Sequence, residues 1–176
     1  GTAVAINPSV IVRDAFSNPV SGVSVTFAVT GGGGSVTGGA ATTNASGIAT
    51  VGSWTLGGSA GANSLGATSI GLAGSPISFS ATATAGGATT IALNAGNGQS
   101  ATVNTAVAVN PSVLVTDGLG NPVSGVSVTF AVTGGGGNVV GGAATTNGSG
   151  IASVTSWTLG TTAGSNTLQA TSAGLT

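Results

Sequence analysis

The sequence predicts an all-β protein made of two similar sandwich domains in tandem, and three observations lead to this prediction. First, the chain repeats itself with a step of 103 residues: residues 1–73 overlay residues 104–176 without a gap, and 54 of those 73 positions are identical. Second, bulky apolar residues alternate with small or polar ones, which is the period of a strand with one buried face. Third, turn-forming residues recur about every 8–12 positions, and about seven short strands per 100 residues are typical of an immunoglobulin-like β-sandwich.

The length of the repeat sets the domain organisation. A step of this size is much longer than the roughly 20–50 residues of a solenoid repeat and matches a whole domain. We therefore predict one immunoglobulin-like domain over residues 1–86, whose N-terminal strand is missing, and a second over residues 87–176, whose C-terminal strand is missing. Residues 74–103 occur only once, between the copies. We expect the chain to be a window from a longer array or a subunit that borrows a strand from a neighbour.

The alternation places the strands. Val23–Val29 and its copy Val126–Val132 alternate regularly between large and small residues. The alternation slips within residues 48–56, where we expect a bulge or a bend. Glycine and β-branched residues are frequent while Glu, Lys and Met are absent, which disfavours helices.

Two segments that occur once, residues 76–83 and 89–93, supply further strands. Their bulky residues should face the core: Ile77, Phe79, Ile91 and Leu93. Burial of each large apolar side chain contributes about 1.5–3 kcal/mol. The aromatic residues predicted for the two cores are Phe27, Trp54, Phe79, Phe130 and Trp157.

A loop closed by Asn-Pro occurs in each copy and contains one of the two carboxylates of the chain. Asp14 precedes Asn18 by four residues, and Asp117 precedes Asn121 by the same spacing. We predict a structural turn in which the aspartate accepts backbone N–H bonds. A calcium site is the less favoured alternative, because calcium takes six to eight oxygen ligands, usually from several carboxylates.

Charged residues are nearly absent, and this restricts the functions that the chain can have. The only charged side chains belong to Arg13, Asp14 and Asp117. This excludes the basic surface of a nucleic-acid-binding protein and a polybasic membrane patch. No apolar run reaches the ~18 residues of a membrane-spanning helix, so we expect no membrane insertion by this segment.

The sequence also lacks the residues that usually carry out catalysis. The sequence contains no His, Cys, Lys, Glu or Tyr. General acid–base catalysis needs a group that titrates near neutral pH, and a serine nucleophile needs a base to activate it. We therefore expect no enzyme, no cofactor and no metal centre. The glycine runs 31–34 and 134–137 lack the lysine of a phosphate-binding loop and are expected to be flexible connections.

Two patterns admit a carbohydrate interpretation. Asn44 and Asn147 begin Asn-x-Ser sequences, which match glycosylation acceptor sites but are interpreted first as turn signals. Trp54 and Trp157 would suit stacking against a sugar, but a tryptophan flanked by strand residues is more often part of a core.

The repeated motifs carry a family resemblance. VIVRDAFSNPVSGVSVTFAVTGGGG and VLVTDGLGNPVSGVSVTFAVTGGGG are followed by ATTNASGIATV and ATTNGSGIASV, and then in both copies by SWTLG. These segments resemble bacterial Ig-like (group 1) repeats of the invasin/intimin type. The resemblance implies strings of sandwich domains on bacterial surface or secreted proteins, where they serve as stalks and sometimes as adhesins. The near absence of charge departs from the usual pattern of such modules.

The expected function is that of a structural, extracellular repeat protein forming a stalk, fibre or filament on the bacterial cell surface. The alternative is an adhesin module that binds a receptor or a glycan through exposed loops such as residues 31–38 and 57–62. Unguarded neutral strands should associate, so we also expect self-association with neighbouring repeats or subunits, with strand complementation as one route. The near absence of charge is also compatible with a surface covered by glycan, or with a surface that Ser, Thr and Gly make polar enough to stay hydrated.

Overall fold

The alternating segments fold as antiparallel β-strands. The computed structural model describes residues 1–175, and no helix occurs in that part of the chain. The first predicted domain contains eight strands: β1 (Ser9–Ile11), β2 (Ser24–Gly31), β3 (Ser35–Thr37), β4 (Ala40–Thr42), β5 (Ile48–Thr50), β6 (Ser53–Thr55), β7 (Gly61–Thr68) and β8 (Ile77–Ala83). The second contains β9 (Ala88–Ala95), β10 (Ser112–Asp117), β11 (Ser127–Gly134), β12 (Asn138–Val140), β13 (Ala143–Thr145), β14 (Ile151–Ser153), β15 (Ser156–Thr158) and β16 (Thr167–Thr171).

The chain divides into two units, the first comprising Gly1–Thr84 and the second beginning at Ala85. The repeat pattern predicted a division after residue 86. The N–H of Gly86 donates a hydrogen bond of 2.8 Å to the carboxylate of Asp117, so the connecting residues are held by the second unit. Thr176, the last residue of the predicted second domain, lies outside the described residues.

The first unit is built from a four-stranded sheet and two strand pairs, and the second from two three-stranded sheets and one strand pair. In the first unit the larger sheet has the order β4-β2-β7-β8, and the pairs are β1-β5 and β3-β6. In the second unit the corresponding sheet is β13-β11-β16, beside β14-β10-β9 and β12-β15. Each unit therefore contains one strand that the other lacks among the described residues. β8 extends the larger sheet of the first unit, and β9 extends the facing sheet of the second.

The core of the first unit lies between these layers. Val25 and Phe27 on β2 and Leu65 on β7 are buried against Val51 and Trp54, which follow β5 along the chain. Alternation explains which residues are buried, because successive residues of a strand point to opposite faces of the sheet and only one face is covered. Phe79 on β8 is half-buried and its ring centroid lies 6.5 Å from that of Phe27.

The core of the second unit is divided into two clusters. Val115, Val128 and Phe130 belong to the larger cluster. Trp157 packs with Val107 and with Leu159, which follows β15, in the smaller one. The structure therefore places Phe130 and Trp157 in the interior, 4% and 8% exposed.

The expected irregularity within residues 48–56 is a change of partner strand. β5 pairs with β1, and after Val51 and Gly52 the chain continues as β6, which pairs with β3. The alternation slips there because the segment passes from one strand pair to the other.

Two residues predicted to be buried are exposed. Ile77 is 46% exposed and Leu93 is 63% exposed. Both face clefts: Ile77 lines one of about 240 Å³ beside β1, and Leu93 lines one of about 220 Å³ beside β16. Both side chains lie on the face that we expected to point inward. The prediction that they are buried was wrong, because no described strand covers either cleft.

The Asp–Asn loops allow a test of local backbone strain. Ser17 has a φ of 69°, whereas the second copy has Gly120 at the same position with a φ of 82°. The left-handed conformation that glycine adopts freely costs about 1–2 kcal/mol for a residue with a Cβ atom. No atom lies within 4 Å of a Cβ built on Gly120, so only the backbone term distinguishes the two residues.

We predict that Ser17→Gly stabilises the first unit by up to about 1 kcal/mol and that Gly120→Ser destabilises the second by a similar amount. Urea denaturation of both variants checks this prediction. Changes of the same sign in the two variants would contradict it.

Candidate functional site

The first Asp–Asn loop is an internally hydrogen-bonded turn. One carboxylate oxygen of Asp14 accepts the N–H groups of Phe16 and Asn18, each at 2.9 Å. The side-chain amide of Asn18 donates to the other oxygen at 3.1 Å. These hydrogen bonds, first of all that from the Asn18 side chain, hold the pKa of Asp14 below its ordinary value. The loop satisfies its own carboxylate and stays exposed.

The second Asp–Asn loop has one more partner. The carboxylate of Asp117 accepts the N–H groups of Leu119 and Asn121 at 2.9 and 2.8 Å and the side-chain amide of Asn121 at 2.9 Å. It also accepts the N–H of Gly86 from the connecting segment. The Asn121 side chain and then the Gly86 N–H hold the pKa of Asp117 far below its ordinary value. Asp117 is 6% exposed, so this carboxylate joins the loop to the connecting segment rather than facing solvent.

The two Asn-x-Ser sequences form matching exposed turns. The side-chain oxygen of Asn44 accepts the N–H groups of Ser46 and Ile48 at 2.9 and 3.1 Å. Asn147 accepts those of Ser149 and Ile151 at the same distances. Both asparagines are exposed, and their side-chain oxygens accept hydrogen bonds from backbone N–H groups of the turn. Glycosylation at Asn44 and Asn147 stays a prediction.

The glycine runs are packed against the rest of their domain. A Cβ atom on Gly34 would collide with the carbonyl oxygen of Thr55 and lie 2.8 Å from the carbonyl carbon of Leu56. In the second copy Gly137 faces Thr158 and Leu159 in the same way. These close backbone contacts leave no room for a side chain at either residue, and the flexibility of the runs stays a prediction.

Neither tryptophan presents its ring face to solvent for sugar stacking. Trp54 is 1% exposed, and Trp157 is buried as well. The indole N–H groups of both are buried without a hydrogen-bond partner among the described residues. Burial of the ring in the apolar core therefore outweighs the cost of leaving one N–H unsatisfied.

Buried polar side chains that sequence reasoning missed hold the loops. The hydroxyl of Thr43 donates to the carbonyl oxygen of Val20 at 2.8 Å and accepts the N–H of Val23 at 2.9 Å. Thr146 makes the same pair of bonds in the second copy. Asn63 is buried, and its side-chain oxygen accepts the N–H of Gly57 at 2.8 Å. Identity between the copies was the only sequence signal for these residues.

The described residues contain no group of three or more His, Cys, Asp or Glu side chains able to hold a metal ion. They also contain no helix that is long and apolar enough to cross a membrane.

Two strands have one neighbour fewer than their counterparts in the other unit. In the first unit β1 has only β5 beside it, whereas its counterpart β10 lies between β14 and β9. In the second unit β16 has only β11 beside it, whereas its counterpart β7 lies between β2 and β8. Both statements hold for residues 1–175.

We predict that acid destabilises the second unit through Asp117. Its pKa is lowered in the folded state, so its stabilisation is complete above the ordinary value of 3.8 and is lost as pH falls towards the folded-state pKa. In Asp117→Asn the free energy of unfolding should be lower at neutral pH and should depend less on pH below about 5. Denaturant titrations followed through NMR signals of the second unit measure both effects. Asp14→Asn is the matched control, and an equal loss of pH dependence in signals of the second unit would contradict the assignment.

We also predict different responses to alanine within one glycine run. Gly34→Ala should destabilise the first unit by about 2 kcal/mol or more, because backbone atoms occupy the Cβ position and φ is 89°. Gly33→Ala should cost about 1 kcal/mol, because its nearest neighbouring atom lies 3.9 Å away and only the left-handed conformation is strained. Chemical denaturation distinguishes the two, and equal small effects would show that the run is not packed.

Comparison with known proteins identifies the fold. No protein-family model matches the sequence, and no curated protein sequence matches it. Among solved structures, the chain is similar to InvD of Yersinia pseudotuberculosis, with 22% identity and a TM-score of 0.60 over 94% of this chain and 47% of that chain. It is also similar to FdeC, an Escherichia coli adhesin, with 23% identity and a TM-score of 0.48 over 94% of this chain and 54% of that chain. The D0-D1 domain of intimin matches with 25% identity and a TM-score of 0.39 over 94% of this chain and 80% of that one.

This chain therefore spans about half the length of the InvD and FdeC structures. The likeness to InvD, together with the helix-free antiparallel topology, confirms the predicted fold class of immunoglobulin-like β-sandwich domains. The likeness to InvD concerns the fold alone, and that fold agrees with the bacterial Ig-like repeats that the sequence motifs resemble.

Proposed function

We propose that this chain is a structural segment of a bacterial surface protein, in which tandem immunoglobulin-like domains form a stalk or fibre and carry out no catalysis. The observation that supports this role is the construction of the two copies. Their Asp–Asn loops, Asn turns and packed glycine runs have the same internal hydrogen bonds and contacts. A spacer needs the same unit repeated, whereas a receptor site needs a surface that is special to one copy.

The extracellular setting rests on the sequence resemblance to invasin/intimin-type repeats, and the fold of InvD is compatible with it. Three charged side chains in 176 residues also suit a scaffold that binds few ions. The partners that we propose are neighbouring repeats or subunits, because the neutral strands of this chain have no lysine to protect an exposed edge.

The alternative is an adhesin that binds a cell-surface receptor or a glycan. One observation favours it: in the loop 57–62, three of six positions differ between the copies, Gly58/Thr161, Ser59/Thr162 and Ala62/Ser165. Residues 56–60 join β6 to β7, Ala62 lies at the start of β7, and residues 58–62 are exposed. Differences concentrated in an exposed loop are what ligand selection by one copy would produce.

Two measurements separate these roles. Electron microscopy of the native material should show a continuous fibre with a bead for each sandwich domain. In parallel, the double variant Ser59→Lys/Thr162→Lys adds a charge to an exposed position of each loop and should leave the fibre unchanged. Saturable binding of the wild-type chain to a panel of bacterial and mammalian cells that the double variant loses would instead support the adhesin.

A further inference from the structure

The sequence contains two Asn-Gly pairs, and the structure holds them differently. Asn97-Gly98 lies in the loop that follows β9, and Asn147-Gly148 lies in the turn between β13 and β14. All four residues are exposed, and a Cβ atom built on Gly98 or Gly148 would meet no other atom within 4 Å. The two pairs therefore match in sequence and in the space around them, and they differ in their hydrogen bonds.

Asn147 is fixed by its turn. Its side-chain oxygen accepts the N–H groups of Ser149 and Ile151 at 2.9 and 3.1 Å. Its backbone N–H donates to the carbonyl oxygen of Ile151 at 3.0 Å, and its own carbonyl oxygen accepts the N–H of Gly150 at 2.9 Å. These hydrogen bonds restrain both the side chain and the backbone of the residue.

Asn97 lies at the free tip of a loop whose base is anchored. Among residues 1–175, neither its side chain nor its backbone has a hydrogen-bond partner. The side-chain amide of Gln99 donates to the carbonyl oxygens of Gly96 and Val109 at 2.9 and 2.6 Å, and its oxygen accepts the N–H of Val109 at 2.7 Å. The loop is thus held on both sides of the tip without any contribution from Asn97.

An asparagine followed by glycine is chemically reactive, with water as the only co-reactant. The backbone nitrogen of the glycine attacks the side-chain carbonyl carbon of the asparagine and loses its proton, and the side-chain amide nitrogen leaves as ammonia. The product is a five-membered succinimide ring. Water then opens one of the two carbonyl–nitrogen bonds of the ring, which gives aspartate or isoaspartate. Glycine favours the attack because it has no Cβ atom and its backbone turns freely.

Ring closure places a geometric demand on the asparagine. Its side chain and its backbone must rotate until the side-chain carbonyl carbon lies against the nitrogen of the next residue, and the rate of an intramolecular reaction depends steeply on such an approach. At Asn147 this rotation breaks hydrogen bonds of the turn, whereas at Asn97 it breaks none.

We propose that Asn97 is a site of spontaneous deamidation in the folded chain and that the turn around Asn147 protects the second Asn-Gly pair. The product is an aspartate or isoaspartate at the tip of the loop 96–99. A carboxyl group at this exposed position is ionised at neutral pH. Asp117 is the only charged side chain in residues 85–176, so the reaction gives this unit a second one.

Incubation of the full folded chain at mildly alkaline pH, with samples taken over time, tests the proposal. Elastase suits the digestion because the sequence offers trypsin only Arg13. Mass spectrometry of the peptides measures the fraction of aspartate and isoaspartate at each position. We expect Asn97 to react at least about 10-fold faster than Asn147, since more than one hydrogen bond must break at Asn147 and each factor of ten corresponds to about 1.4 kcal/mol of activation free energy.

The same chain unfolded in urea is the matched control. The turn no longer exists there, so the two Asn-Gly pairs should react at similar rates. A ratio in urea as large as that in the folded chain would overturn the proposal, because sequence and not structure would then account for the difference.

Two results in the folded chain would also overturn it. One is a reaction at Asn147 as fast as that at Asn97. The N–H groups on the Asn147 side-chain oxygen would then activate the carbonyl group, as an oxyanion hole does, more than they restrain it. The other is an Asn97 that stays intact for as long as the unfolded chain needs to react.

The variant Asn97→Asp tests whether the loop tip is free. We expect NMR shift changes confined to the loop 96–99 and an unchanged midpoint of urea unfolding for the second unit, because no other residue depends on Asn97. A lower midpoint would show that its amide supports the fold and would overturn the proposal. None of these outcomes bears on the stalk proposal, which depends on the imaging of native material.

Discussion

Burial of alternate side chains between two facing layers is the interaction on which each copy depends. Phe27 and Leu65, from the larger sheet, meet Val51 and Trp54, from the opposite layer, and all four are nearly inaccessible to solvent. The chain has no cysteine, so no disulfide can compensate for a poorly packed core. This requirement explains why Trp54 stays inside even though its N–H has no partner there.

Hydrogen bonds between polar side chains and the backbone hold the loops, which the apolar core does not reach. Where the chain leaves a strand, backbone groups lose their ladder partners, and short polar side chains replace them. Thr43 bridges both ends of a loop, and Asn63 serves the glycine that follows β6. The carboxylate of Asp117 gathers three backbone N–H groups from two separate segments. With so few charges, these contacts supply the polar specificity that ion pairs supply in other domains.

The parts of the fold that could be predicted from the sequence are those that have a local sequence signal. Alternation around Phe27 and the repeat step identified the strands and the two copies, and the Asn-Pro turns marked the loops. The exposure of Ile77 and Leu93 could not be predicted, because it depends on whether another strand packs over the clefts that they line, and local alternation does not specify this. The roles of Thr43 and Asn63 were missed, since a polar residue at a strand end resembles any surface residue until its loop is folded over it.

The change of partner between β5 and β6 has a mechanical consequence. One short covalent segment is hydrogen-bonded to β1 at one end and to β3 at the other, with Val51 and Gly52 as the crossing point. Tension that peels either strand pair is transmitted along this segment to the other pair. The two pairs are thus joined by continuous backbone, and they should yield together under load.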